Sequence, residues 1–123
     1  MKLYVTNDPK NIGELITIDI EDVIYIETNE RTMIIHTLDG EYYPLLPTLS
    51  TYEHHMKQYG FDRLDRTNLV NTNKIKTFDE GHSLVFFEEP VTKKSKYGTV
   101  SNSAKRMVKN LLEERDKTEN DDT

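Results

Sequence analysis

GFDRLDRTNLVNTNKI, residues 60–75, sets three kinds of signal side by side. Gly60 punctuates whatever precedes it, Phe61 and Leu64 are apolar points among polar neighbours, and Leu69 and Val70 open a second apolar patch that Ile75 continues. Between them lie Arg63, Asp65, Arg66, Thr67, Asn68, Asn71 and Asn73. These are fork donors, amides and a hydroxyl, an inventory suited to phosphates and base edges and unlike any catalytic motif.

Towards the N-terminus, residues 2–5 and 14–18 are β-branched-rich runs separated by turn residues, so two short strands are expected. Residues 20–23 can form one helical turn. Residues 24–27 then read as a strand with Ile24 and Ile26 on one face and Tyr25 on the other. A polar connector, Thr28 to Thr32, leads into residues 33–38, and Asp39-Gly40 is a hairpin signal that folds residues 41–43 back. An antiparallel meander of short strands is the reading up to Pro44. Thr48 is placed to cap a helix running to about Tyr59, with Leu49, Tyr52 and Met56 at helical spacing and Gly60 at its end.

Towards the C-terminus, residues 74–78 alternate, residues 79–82 turn, and residues 84–87 are the most apolar strand candidate. The loop from Glu88 to Gly98 carries Pro90, Lys93, Lys94 and Lys96, and an extended run resumes at Tyr97. Ser103 can cap a last helix with an apolar stripe of Met107, Val108, Leu111 and Leu112. Residues 113–123 hold no apolar side chain and are expected to fray into a disordered acidic tail. Residues 1–112 then form one domain.

The 123 residues, 35% of them hydrophobic and without a repeat, suit a single core. Absence of cysteine excludes disulfides and thiolate metal sites, and no apolar run reaches membrane-spanning length, so a cytoplasmic protein without membrane insertion is expected. Net charge is −6, a sum that conceals three regions. Residues 1–62 carry 4 Lys/Arg against 11 Asp/Glu, residues 63–112 carry 10 against 5, and residues 113–123 carry 2 against 6. A basic middle can bind phosphate despite the acidic total, though with weakened long-range attraction. His36, His54, His55 and His82 have no partner at a chelating offset and read as surface or satisfied polar residues, so neither a metal nor any other cofactor is expected. An enzyme is disfavoured by the lack of a nucleophile–base pair, a glycine-rich phosphate loop or metal-ligand spacing.

The order of these segments resembles the LytTR-type DNA-binding domain of bacterial transcription regulators. The resemblance runs from about Leu15 to Leu112 through DVIYIET (22–28), IIHTLDGEYY (34–43), the helix, residues 60–75, SLVFF (83–87) and VSNSAKRMVKNLL (100–112). Phe61, Arg63, Arg66, Asn71 and Ile75 match the family's phenylalanine-x-arginine, arginine-serine and valine-asparagine positions. It implies a mainly β, minor α architecture: an elongated arrangement of small antiparallel sheets with one mid-chain helix and a C-terminal helix. Its loops, rather than a recognition helix, would enter successive major grooves of double-stranded DNA.

On that scheme Arg66, Arg31, Thr32, Ser101 and Asn102 are the candidates for base contact, and Asn29, Thr67, Asn68, Lys93, Lys94 and Lys96 for phosphate contact. Three places depart from the family pattern. Asp65 stands where a histidine is usual and can either orient Arg66 as a salt-bridged partner or accept from a cytosine amino group; Ser101-Asn102-Ser103 replaces serine-arginine-arginine; and the lysine loop is long. Arg63 reads as a surface salt-bridge residue and Asn71 as a turn or capping amide. About fourteen residues precede the match, too few for the family's phosphoacceptor domain, which suggests a stand-alone regulator. Two copies per operator and control by a partner protein are implied with it. The competing expectation is a protein-interaction module on the same fold that has lost DNA binding.

Overall fold

The computed structural model describes residues 1–29, 32–45 and 49–121, the last four of these by their backbone alone. Thr48, expected to cap the first helix, and Arg31, a candidate base contact, lie outside the described residues.

Strands β1 (Lys2–Thr6) and β2 (Ile16–Asp19) form a hairpin in which Leu3 faces Ile18. Strands β3 (Val23–Asn29), β4 (Thr32–Thr37) and β5 (Glu41–Pro44) form the expected meander, and β5 closes back on β1. After helix α1 (Leu49–Met56) and a 3-10 turn, two short strands, β6 (Phe61–Asp62) and β7 (Asn68–Asn71), extend the sheet beyond β3. The seven strands are ordered β2-β1-β5-β4-β3-β7-β6. Strands β8 (Thr77–Asp79), β9 (Leu84–Phe86) and β10 (Tyr97–Thr99) make a separate antiparallel sheet with β9 central, and helix α2 (Lys105–Asp121) follows.

Two apolar cores result. The first joins Leu3, Val5, Val23, Ile26, Ile35, Met56, Phe61 and Leu69, with α1 contributing Leu49 and Tyr52. The second joins Ile24, Tyr25, Leu64, Val70, Ile75, Val85, Phe87, Val100 and Val108. Ile24 and Ile26 therefore do not share a face, contrary to the simple alternation. The register of β3 against β4 shifts between Val23 and Tyr25, and that bulge turns Ile24 towards the second core.

Two glycines are required by what surrounds them. Gly60 ends the 3-10 turn after α1 at φ 93°, and a Cβ there would lie 2.5 Å from Asn73 Nδ2. Gly98 lets β10 approach the main sheet, since a Cβ would stand 3.3 Å from Cγ2 of both Val70 and Val85. Of residues 74–76, expected as strand, Lys74 instead ends a 3-10 turn with Asn71 and Ile75 as its N- and C-caps, and β8 is confined to three residues.

The helix past Leu112 corrects the expected disordered tail. α2 continues through Asp121, and Arg115 docks its second half: Nη1 donates to the Ile75 carbonyl at 2.7 Å, and Nη2 donates to the Thr72 carbonyl. An arginine fork on two turn carbonyls supplies a docking point that an apolar count does not register.

Candidate nucleic-acid interface

Leu64 to Thr67 form a turn between β6 and β7 whose backbone is fixed from several sides. Asn68 is 3% exposed, and its Oδ1 accepts from the N–H groups of Leu64 (3.2 Å) and Asp65 (3.0 Å). Its Nδ2 donates to the Thr99 carbonyl at 2.8 Å. Thr28 N–H donates to the Thr67 carbonyl at 2.9 Å, and Ser101 N–H to the Leu64 carbonyl at 2.7 Å. Three chain segments therefore lie side by side: the outer end of the β3–β4 hairpin, the 64–67 turn, and the start of α2.

Arg66 and Thr67 project from this fixed frame and are exposed. Asp65 is tied into it: Oδ1 accepts from Arg66 N–H at 2.7 Å and Oδ2 from the Thr99 hydroxyl at 2.8 Å. Arg63 Nη1 donates to the Arg66 carbonyl at 3.1 Å, while its Nε lies 3.2 Å from Glu53 Oε1. Asp65 thus holds the Arg66 turn through its backbone N–H and is not the expected salt-bridged partner of the Arg66 side chain. The Arg66 guanidinium itself makes no hydrogen bond or ion pair with any described residue.

An open groove of about 390 Å³ brings Arg66 together with Arg63, Asp65, Ser101 and Ser103. Ala104 and Met107 supply its apolar wall. Ser101 precedes the 3-10 turn Asn102–Ala104 that leads into α2, and its hydroxyl lies 3.1 Å from that of Ser103. The groove thus sits at the N-terminal end of a 17-residue helix, where backbone dipoles favour an anion, with Lys105 and Arg106 beginning that helix. Asn29, Thr32 and Asn102 are exposed along the same edge, and Asn29 pairs with Thr32 across the hairpin.

Two expectations change. Asn68 is not a phosphate ligand: its amide is buried and fully engaged with backbone. The lysine loop does not share the Arg66 edge. Lys96 Nζ donates to the carbonyls of Thr37 and Gly40, 2.8 Å each, and so grips the opposite end of the β3–β4 hairpin. Met33, paired with Thr28, and Thr37 are four residues apart, roughly 13 Å of strand. Burial lowers the Lys96 ammonium pKa, against the raising pull of Glu41, Asp39 and Glu27. Lys93 and Lys94 are exposed in the same loop.

The histidines are surface or satisfied polar residues, His54 and His55 exposed on α1 and the other two paired with carboxylates. His36 is 4% exposed, stacks on Tyr25 with ring centroids 4.2 Å apart, and holds Nε2 2.8 Å from Glu27 Oε1. Since a carboxylate only accepts, Nε2 carries the proton. Glu27 lies diagonal to His36 because Tyr25 is its direct cross-strand partner. The bond to His36 depresses the Glu27 pKa, and burial, with the Glu27 and Glu41 carboxylates, drives that of Tyr25 strongly upward. His82 Nδ1 lies 2.9 Å from Asp79 Oδ2 in the β8–β9 turn. Arg63 and Asn71 hold the structural roles their positions suggested: Asn71 Nδ2 donates to the Val23 carbonyl and Oδ1 accepts from Asn73 N–H. Met107 escaped the sequence reading, which placed it in the apolar stripe of α2, although it is 40% exposed; only its place one residue before the buried Val108 hints at this.

A seven-stranded and a three-stranded antiparallel sheet with two helices bring the Arg66 turn, the β3–β4 hairpin end and the start of α2 to one edge. The model of the LytTr DNA-binding domain matches residues 13–113, and the chain belongs to that family, the DNA-binding domain of transcription regulators. Among solved structures, a LytTr DNA-binding domain from Bacillus cereus is similar in fold, with a TM-score of 0.65 at 21% identity over 89% of this chain and 96% of that one. No curated protein matches the sequence. Among the described residues, no helix is long and apolar enough to cross a membrane, and no group of three or more His, Cys, Asp or Glu side chains is disposed to hold a metal ion.

Proposed function

We propose that this chain is a sequence-specific transcription regulator of the cytoplasm that reads successive major grooves with the 64–67 turn and its two neighbouring segments, as two copies on repeated half-sites. The observation that carries this reading is the Arg66 guanidinium, unpartnered among the described residues, on a turn bonded through its backbone to β3 and the start of α2 and through the Asp65 and Asn68 side chains to β10. A planar fork carried on a fixed turn suits guanine O6 and N7, a pairing that discriminates by about 1–3 kcal/mol. Thr67, Asn29 and Thr32 flank it with hydroxyls and an amide able to take phosphate or base edges. Arg31, between Asn29 and Thr32 in the sequence, is carried forward as a further candidate for base contact.

The test is selection of binding sites from a random duplex library by the purified protein at two salt concentrations, with Arg66→Ala in parallel. A repeated motif that enriches with the native protein and is lost with the variant supports the reading. If folded protein enriches nothing at low salt, an interaction module that has lost DNA binding takes its place.

A further inference from the structure

The groove beside Arg66 has an apolar wall that a purely phosphate-binding surface does not need. Met107 stands in the first turn of α2 with 40% of its surface exposed, whereas the next residue, Val108, is completely buried in the second core. Ala104, one turn earlier, packs partly on that core and lines the groove with it. Arg66, Ser101 and Ser103 line the same groove. The Ser101 N–H to Leu64 carbonyl bond joins the start of α2 to the Arg66 turn and fixes the two segments beside each other.

Resting on the proposed reading of DNA, we infer that Met107, supported by Ala104, is a specificity-determining residue that packs on the 5-methyl group of a thymine next to the base pair read by Arg66. The major-groove edge of thymine is the one base edge that combines an acceptor with a methyl group. A wall with hydroxyl donors beside an apolar side chain complements both. Methionine suits the contact because its unbranched, polarizable thioether can follow the methyl without a fixed rotamer. Arg66 and Met107 together then specify a guanine with a neighbouring thymine, and the base-reading surface extends from the turn onto the first turn of α2.

The experiment takes the duplex enriched by the native protein and replaces each thymine in turn by deoxyuridine, which removes the methyl alone. Affinity is measured for the native chain, Met107→Ala and Met107→Leu, with the fold of each checked by circular dichroism. The expected result is one thymine whose replacement weakens native binding about four-fold, the effect of one buried methyl-sized group. Met107→Ala should weaken binding to the thymine duplex similarly and be indifferent to uracil there, and Met107→Leu should keep the penalty. The inference is overturned if every thymine tolerates uracil, or if the penalty persists unchanged in Met107→Ala. Failure to enrich any duplex would sink the DNA-reading proposal itself, and this one with it; an enriched duplex with silent uracils removes the methyl contact alone.

Discussion

The side-chain amide of Asn68 donates to the backbone carbonyl of Thr99 at 2.8 Å, so one buried residue of β7 fastens the Arg66 turn of the main sheet to the last strand of the small one. Asn68→Ala leaves the N–H groups of Leu64 and Asp65 without their acceptor and Thr99 without a donor. A loss of about 3 kcal/mol in stability is expected from these unsatisfied groups, read from the denaturant midpoint. Base discrimination should fall with it at temperatures where the variant is still folded. Unchanged stability would mean that water replaces the amide.

Lysines 93 and 94 lie in the loop at the far end of the β3–β4 hairpin, whereas Arg106 belongs to the first turn of α2 beside the groove. Arg106→Gln is therefore expected to lower the slope of log affinity against log salt by about 1, as loss of one phosphate contact does. Lys93→Gln with Lys94→Gln should leave the slope near the native value. The reverse ranking in a salt titration would put the lysine loop on the DNA.

Acid sensitivity should concentrate on Glu27. Its pKa is depressed from 4.5, chiefly by the hydrogen bond from His36, so the bond contributes stability above that value and the contribution is lost as pH falls through the lower, folded-state pKa. Glu27→Gln, which cannot ionise, should flatten the fall in stability below about pH 4.5 and cost stability at neutral pH. Denaturation curves at several pH values between neutrality and pH 3 test this. Parallel pH profiles for the two proteins would rule the pairing out as a contributor.

Arg115→Ala removes two charge-assisted bonds to the Ile75 and Thr72 carbonyls and should cost about 1.5–3 kcal/mol. Arg115→Lys should recover only part of this, since an ammonium cannot span both carbonyls as a fork does. Amide exchange along residues 113–117 should quicken in both variants. A chain ended after Leu112 that kept native stability would show that the docking is incidental.

Much of the architecture could be read from short-range signals: the Asp39-Gly40 turn, Gly60 after an eight-residue helix, and the alternating strands around them. What escaped depends on partners distant in the chain. Nothing local distinguishes Asn68 from Asn73, yet Asn68 meets Thr99, 31 residues later, and is buried. Lys96 looks like any loop lysine until Thr37 and Gly40 offer it two carbonyls. The length of α2 was underestimated because Arg115 anchors it through charge rather than through apolar surface. Of the candidate base contacts, the groove joins Arg66 with Ser101 and the edge carries Thr32 and Asn102. That proximity rests on backbone bonds between segments far apart in sequence, beyond the reach of residue spacing.

The bulge in β3 has a consequence for cooperativity. By sending Val23 and Ile26 into one core and Ile24 and Tyr25 into the other, it makes a single strand the shared wall of both. Neither half can open while β3 stays ordered on behalf of the other, so two separate apolar clusters behave as one cooperative unit. The slowest-exchanging amides of β3 should report global unfolding, and heat should melt the sheets in one transition. The Arg66 edge should then prove as durable as the two cores it rests on, and its amides should exchange no sooner than theirs.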